Sequence, residues 1–175
     1  MSFNKEARYL LLFRRTAPLG LDGKYVISRV DVDNAFFHAK QSAYHDALAW
    51  LKTVTNGWCT SRRMHEPVLL PCIFGCSDAS DTISHYLEYM ILWSIIDEVF
   101  HGYVHPLSVG RVNYLDPNPN RVIVISAAFE VYHALKIGLR DIIDSAICSK
   151  MLGQIYRVSH KLIVEKFAIA RSRLQ

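Results

Sequence analysis

Apolar positions at helical spacing, separated by turn chemistry, divide the chain into segments. Residues 3–15 predict a short helix with Ser2 as N-cap. Pro18, Gly20, Asp22 and Gly23 then mark a turn or linker. Tyr25 to Arg29 is compatible with a strand or with the start of a helix. From Asp33, read as an N-cap, to about Val54, residues Ala35, Phe36, Ala39, Ala43, Ala47, Leu48 and Leu51 recur at intervals that share one helix face. Asn56-Gly57 ends that helix, because Gly takes the left-handed cap conformation. Pro67 and Pro71 exclude a helix interior, so Trp58–Arg63 and Pro67–Phe74 predict short extended arms around a turn.

A helix from Asp81 to Phe100, capped by Asp78 or Ser80, is apolar nearly all round and predicts a central position in the core. His101 to Asn120 reads as a loop. Arg121 to about Met151 predicts a long helix, although Val122–Ile125 alone would pass for a strand. Gly153 breaks it, and Gln154 to Ser172 predicts the last helix. The expected fold is mainly α: a single helical domain with a small β-hairpin carrying a Cys-His knuckle. Residues 1–23 form an N-terminal helix and linker, and residues 24–175 form the helical domain, with the knuckle at 58–89.

Composition supports that picture. Of 175 residues, 51% are hydrophobic and 21% charged, enough for a core and too little charge for a disordered chain. The net charge is +4, from 20 basic and 16 acidic residues. From Lys150 onward, six basic residues face Glu165 alone, a net of +5, which leaves −1 for residues 1–149. The basicity therefore belongs to the C-terminal helix. There it is suited to phosphates or an acidic partner, or to a solvated helix face. Four cysteines, no secretory signal and no apolar run long enough to span a membrane predict an intracellular protein, nuclear or cytoplasmic and not secreted.

The most specific candidate chemistry is Cys72-Ile-Phe-Gly-Cys76 followed by His85. Zinc takes four thiolate, imidazole or carboxylate donors in a tetrahedron. Two thiols on a bend and a His early in the next helix supply three. A fourth donor on the same helix face falls at Glu88 or Tyr89. Tyr is a poor ligand because its phenol titrates near ~10. Glu88 is thus the candidate, with Cys59, His65, His101 and His105 as further options. The alternative is a pair of reduced core thiols beside a hydrogen-bonded His.

The run Trp50–His65, then Leu70-Pro71-Cys72-Ile73-Phe74-Gly75-Cys76, Asp81–Glu88 and Trp93 resembles the segment downstream of the polymerase in LINE-type (non-LTR) retrotransposon reverse transcriptases. That family carries a zinc-knuckle-like Cys-Cys-His-Cys element there. Cys72, Cys76 and His85 match its first three ligands, whereas Tyr89 and Met90 replace its final Cys-Pro. The resemblance covers roughly residues 45–95. It implies a nucleic-acid-handling tail, possible zinc, and no polymerase activity in this chain. Asp31-Val-Asp33-Asn resembles a palm strand, but no second Asp-Asp pair follows to hold two cations.

No phosphate loop and no Gly-x-Ser-x-Gly elbow is present, and nothing supplies a third orienting group for Cys59 with His65. Tyr132, His133 and Lys136 predict snorkelling beside an apolar helix face. Arg62-Arg63 next to Trp58 could meet a nucleic-acid backbone with one aromatic stack, or form an exposed turn. The expectation is a non-catalytic nucleic-acid-associated module for RNA or DNA, with zinc at Cys72, Cys76, His85 and Glu88. Its phosphate contacts are Arg62, Arg63, Lys161, Lys166, Arg171 and Arg173. The alternative is a metal-free helical protein-interaction or scaffold domain.

Overall fold

Ser28 opens the helix Arg29–Gln41 through a reciprocal cap. Its hydroxyl accepts the Asp31 N–H, and the Asp31 carboxylate accepts the Ser28 N–H at 2.8 Å. Helix α1 runs Arg29–Gln41 and buries Val32, Ala35 and Ala39. The computed structural model describes residues 10, 14, 27–67, 69–74, 76, 80–138, 164, 165, 167–169, 171, 172 and 174. Most of the expected N-terminal helix and linker, the stretch 139–153 and much of the last helix lie outside them.

The single helix expected over 33–54 is two. Ser42 adopts an extended conformation, its N–H returns to Ala39 and its hydroxyl to the His38 carbonyl, so α1 is capped there. Helix α2 then runs Tyr44–Val54 and buries Asp46, Ala49, Trp50, Thr53 and Val54. At its end Asn56, not Gly57, takes the left-handed conformation, with φ 55°. Gly57 is needed for another reason: a Cβ there would stand 2.8 Å from the Lys52 carbonyl oxygen.

The helix expected over 81–100 is also two. Thr82, rather than Asp78 or Ser80, caps α3 (Ile83–Glu88), accepting the His85 N–H; Asp78 lies outside the described residues. Tyr89 has ψ 100°, and α4 (Met90–Phe100) starts afresh. Side chains take up carbonyls near the break. The Trp93 indole donates to Tyr86 at 2.8 Å, and Arg111 donates to Leu87 at 2.7 Å. Within the expected loop a short helix, α5 (Ser108–Arg111), forms where Gly110 lets the His105 ring pack against the backbone.

Helix α6, Pro119–Gly138, is the centre of the molecule, a place the sequence assigned to 81–100. It buries Val122 through Ala128 without interruption, then Val131, Tyr132 and Leu135, whereas Met90 and Ile91 of α4 face water. Pro119 suits a first helical position because it has no N–H to leave unpaired. Helix α2 packs along α6, and Phe36 and Trp50 meet edge to face at 5.0 Å. Phe167, from the C-terminal helix, reaches the core against Phe100 at 5.9 Å.

The helical class therefore holds, and the expected small β-hairpin is not seen among the described residues. Among the described residues there is no strand, only a single antiparallel bridge between Pro71 and Ser80 and the Asp81 N–H to Leu70 carbonyl bond at 2.9 Å. Pro71 has no N–H to extend a ladder, and Pro67 stands four residues before it.

Candidate nucleic-acid interface

The segment from Asn56 to Glu66 leaves α2 and folds into consecutive turns. Met64 N–H bonds to Thr60, His65 N–H to Arg62 and Glu66 N–H to Ser61, so Arg62 and Arg63 sit exposed at its crown. Trp58 is not beside them as a stacking surface, as the sequence suggested. It is 1% exposed and lies among Tyr132 (4.8 Å), Tyr86 (5.9 Å) and Phe129 (6.0 Å).

Asp81 fixes this loop from beneath. Its fully buried carboxylate accepts the Ser61 N–H at 2.6 Å, the Tyr86 hydroxyl at 2.7 Å, the Tyr132 hydroxyl at 3.0 Å and the Lys136 ammonium at 2.8 Å. Lys136 also donates to the Cys59 carbonyl and lies 3.4 Å from Glu66. Tyr132 and Lys136 therefore do not snorkel outward. They turn in, because a buried carboxylate is costly unless several donors and an opposite charge surround it. Burial and the nearby Asp81 charge push both tyrosine hydroxyls well above their ordinary range, so they remain donors.

Above this network opens a cleft of about 550 Å³ between the loop and the start of α3. Arg62, Arg63, His65, Thr60, Asn56, Thr82 and Ser84 line it with Ile83, and among the described residues no carboxylate does. Arg63 is pre-oriented: its Nε donates to the Asn56 carbonyl at 3.0 Å, and its N–H bonds to the Thr60 hydroxyl. The remaining guanidinium nitrogens suit the acceptor-only oxygens of phosphate.

The Cys-His unit straddles Asp81 in sequence, with Cys72 and Cys76 before it and His85 and Glu88 after it. Cys72 is buried, and its sulfur accepts the N–H groups of Phe74 and Cys76. Desolvation outweighs those donors, and the neighbouring Cys76 charge adds to it, pushing the Cys72 thiol up to about 11. His85 is half-buried, its pKa lowered by burial, with its ring 4.9 Å from that of Tyr89. Its Nε2 is shielded from water and has no hydrogen-bond partner. Glu88 is exposed. The donor atoms of these four are not gathered as a first coordination sphere requires. Among the described residues, the trio whose donor atoms all lie within 4.8 Å is His45, Asp46 and Glu130, with Asp46 buried and the others exposed. The apolar pattern of α2 gave no sign of that trio.

Of the basic C-terminal set, Arg171 is exposed on a helical segment, and Lys161, Lys166 and Arg173 lie outside the described residues. No described helix is long and apolar enough to cross a membrane. Comparison with family models, with curated proteins and with solved structures gives no match.

Proposed function

We propose that this chain is a non-catalytic nucleic-acid-associated module of the kind that follows the polymerase in LINE-type reverse transcriptases. The observation that carries the reading is the cleft beside α3: two guanidiniums on a loop braced by a buried ion pair, hydroxyls around them and no acid among the described lining residues. Arg62 and Arg63 meet phosphate there, and Lys161, Lys166, Arg171 and Arg173 are further candidate phosphate contacts by sequence. Fluorescence anisotropy of labelled single-stranded RNA and DNA against a salt series tests this. Binding that weakens as salt rises, and weakens further in Arg62→Ala/Arg63→Ala, supports the reading. No binding even at low salt rejects it.

Zinc enters the same reading as a structural ion at Cys72, Cys76 and His85, with Glu88 as the fourth candidate. The paired thiols and the unpartnered His85 Nε2 favour it. The donors would have to draw together into a tetrahedron. Metal analysis of the purified protein, with melting curves before and after a chelator, tests this part; no zinc and an unchanged melt reject it.

A second reading, a metal-free helical interaction domain, rests on Tyr44, Leu48 and Leu51. These repeat along one face of α2 at 82%, 37% and 37% exposure. Leu48→Glu leaving nucleic-acid binding intact while abolishing self-association or capture of a protein partner would favour it.

A further inference from the structure

The cleft under Arg62 and Arg63 has the size of a small-ligand site. Its volume of about 550 Å³ falls within the roughly 300–1,000 Å³ that such sites occupy. Its positive charge is concentrated on two adjacent arginines, whereas a continuous strand needs cations spaced along a track. Hydroxyl hydrogens remain to be donated. Thr60 is buried and its oxygen accepts the Arg63 N–H, which leaves its own hydrogen available. Thr82 and Ser84 share one hydrogen bond at 3.4 Å, so one of their two hydrogens is also left over. Asn56 adds a different demand. Its Oδ1 is shielded from water and has no hydrogen-bond partner, and the residue lines the cleft. A fully ionised phosphomonoester offers only acceptors, so its phosphate cannot satisfy that oxygen. A sugar hydroxyl or a base amine can, once the Asn56 amide turns about its χ2 to face the cleft.

We propose that the cleft accepts one nucleotide bearing a terminal phosphate. The phosphomonoester oxygens lie on Arg62, Arg63 and the hydroxyls, and a hydroxyl or amine of the nucleoside donates to Asn56 Oδ1. The inference rests on the nucleic-acid reading and narrows it from backbone tracking to recognition of a nucleotide, free or at a strand end.

Calorimetry on the full chain tests it with inorganic phosphate, a nucleoside and the four nucleoside 5′-monophosphates. In parallel, anisotropy is measured with one oligonucleotide sequence unphosphorylated, 5′-phosphorylated and 3′-phosphorylated. A mononucleotide is expected to bind about tenfold or more tightly than phosphate or nucleoside alone, the worth of one well-made polar contact. Arg62→Ala removes that binding. Asn56→Gly, which tolerates the positive φ, leaves phosphate binding and erases the nucleoside advantage. Competition by free nucleotide against each phosphorylated oligonucleotide separates the free ligand from a strand end. Mononucleotides binding no better than inorganic phosphate would overturn the inference. Oligonucleotides binding equally with and without end phosphates, with a mononucleotide still bound, would assign the cleft to the free nucleotide. Absence of all oligonucleotide binding at low salt would remove both this inference and the nucleic-acid reading.

Discussion

Asp81 and Arg111 are charged side chains withdrawn from water, and they are accommodated differently. Asp81 is fully buried and meets a full opposite charge, Lys136, together with two tyrosine hydroxyls and the Ser61 N–H. Arg111, 5% exposed, is surrounded by backbone: the carbonyls of Leu87 (2.7 Å), Pro106 (2.9 Å) and His105 (3.0 Å), with its guanidinium 4.9 Å from the Trp93 ring. The first arrangement ties a loop to the central helix α6. The second fills the break between α3 and α4 and ties it to α5. Arg111 matches carbonyls because its planar fork aims several donors in fixed directions and it stays protonated even though burial lowers its pKa. Asp81 needs donors, so its partners had to come from distant segments. The lesson is that the loop holding Arg62 and Arg63 depends on a long-range ion pair, whereas the α3–α4 corner depends on a guanidinium among backbone carbonyls.

The largest expected effect breaks the first arrangement. Asp81→Ala leaves Lys136 and two hydroxyls without their shared acceptor, and chemical denaturation should show a loss of about 3–5 kcal/mol. Arg111→Met keeps the length and the apolar stem but strands three carbonyls; about 2–3 kcal/mol is expected from the same measurement. If Arg111→Met proved the costlier, the contrast drawn between the two sites would fail. Tyr132→Phe removes a single donor to Asp81 and should cost about 1 kcal/mol, with little change at the α3–α4 corner.

The smallest effect is a pH dependence that touches both regions. His133 and His105 are lowered chiefly by burial, with Lys52 and Lys136 adding to the effect at His133 and nearby arginines at His105. In the unfolded chain each takes up a proton near ~6.5; in the folded chain each does so at lower pH. Their contribution is present above ~6.5 and is lost as pH falls through the lowered folded values. Denaturation midpoints at neutral and mildly acidic pH should therefore fall on acidification, and His133→Gln should flatten part of that fall.

How much of this was legible beforehand depends on the kind of interaction. The helical class follows from apolar spacing, and the helices expected over 33–54, 81–100 and from 121 meet described helices over 29–54, 83–100 and 119–138, although Ser28 and not Asp33 caps the first of them. The two breaks were hidden because Ser42 and Tyr89 are not strong breakers, and the carbonyls near Tyr89 are taken by Trp93 and Arg111, partners that spacing does not reveal. Lys136 and Tyr132 read as snorkelling residues because their acceptor, Asp81, is 55 and 51 residues away. The candidate cleft was half legible. Arg62-Arg63 stood out as a dipeptide, but Asn56, Thr60 and Ser84 carry no signal until the loop folds against α3. The Cys-x3-Cys bend was conspicuous in sequence, yet no short motif fixes where His85 points.

The central claim is that the loop bearing Arg62 and Arg63 is a fixed platform held by Asp81 against α6. Amide hydrogen exchange of Ser61 tests it most directly, because that N–H is the loop's own bond to the buried carboxylate. The account predicts that Ser61 exchanges as slowly as the core amides of α6, opening only with global unfolding. Exchange at the rate of a frayed surface turn, with α6 still protected, would contradict it.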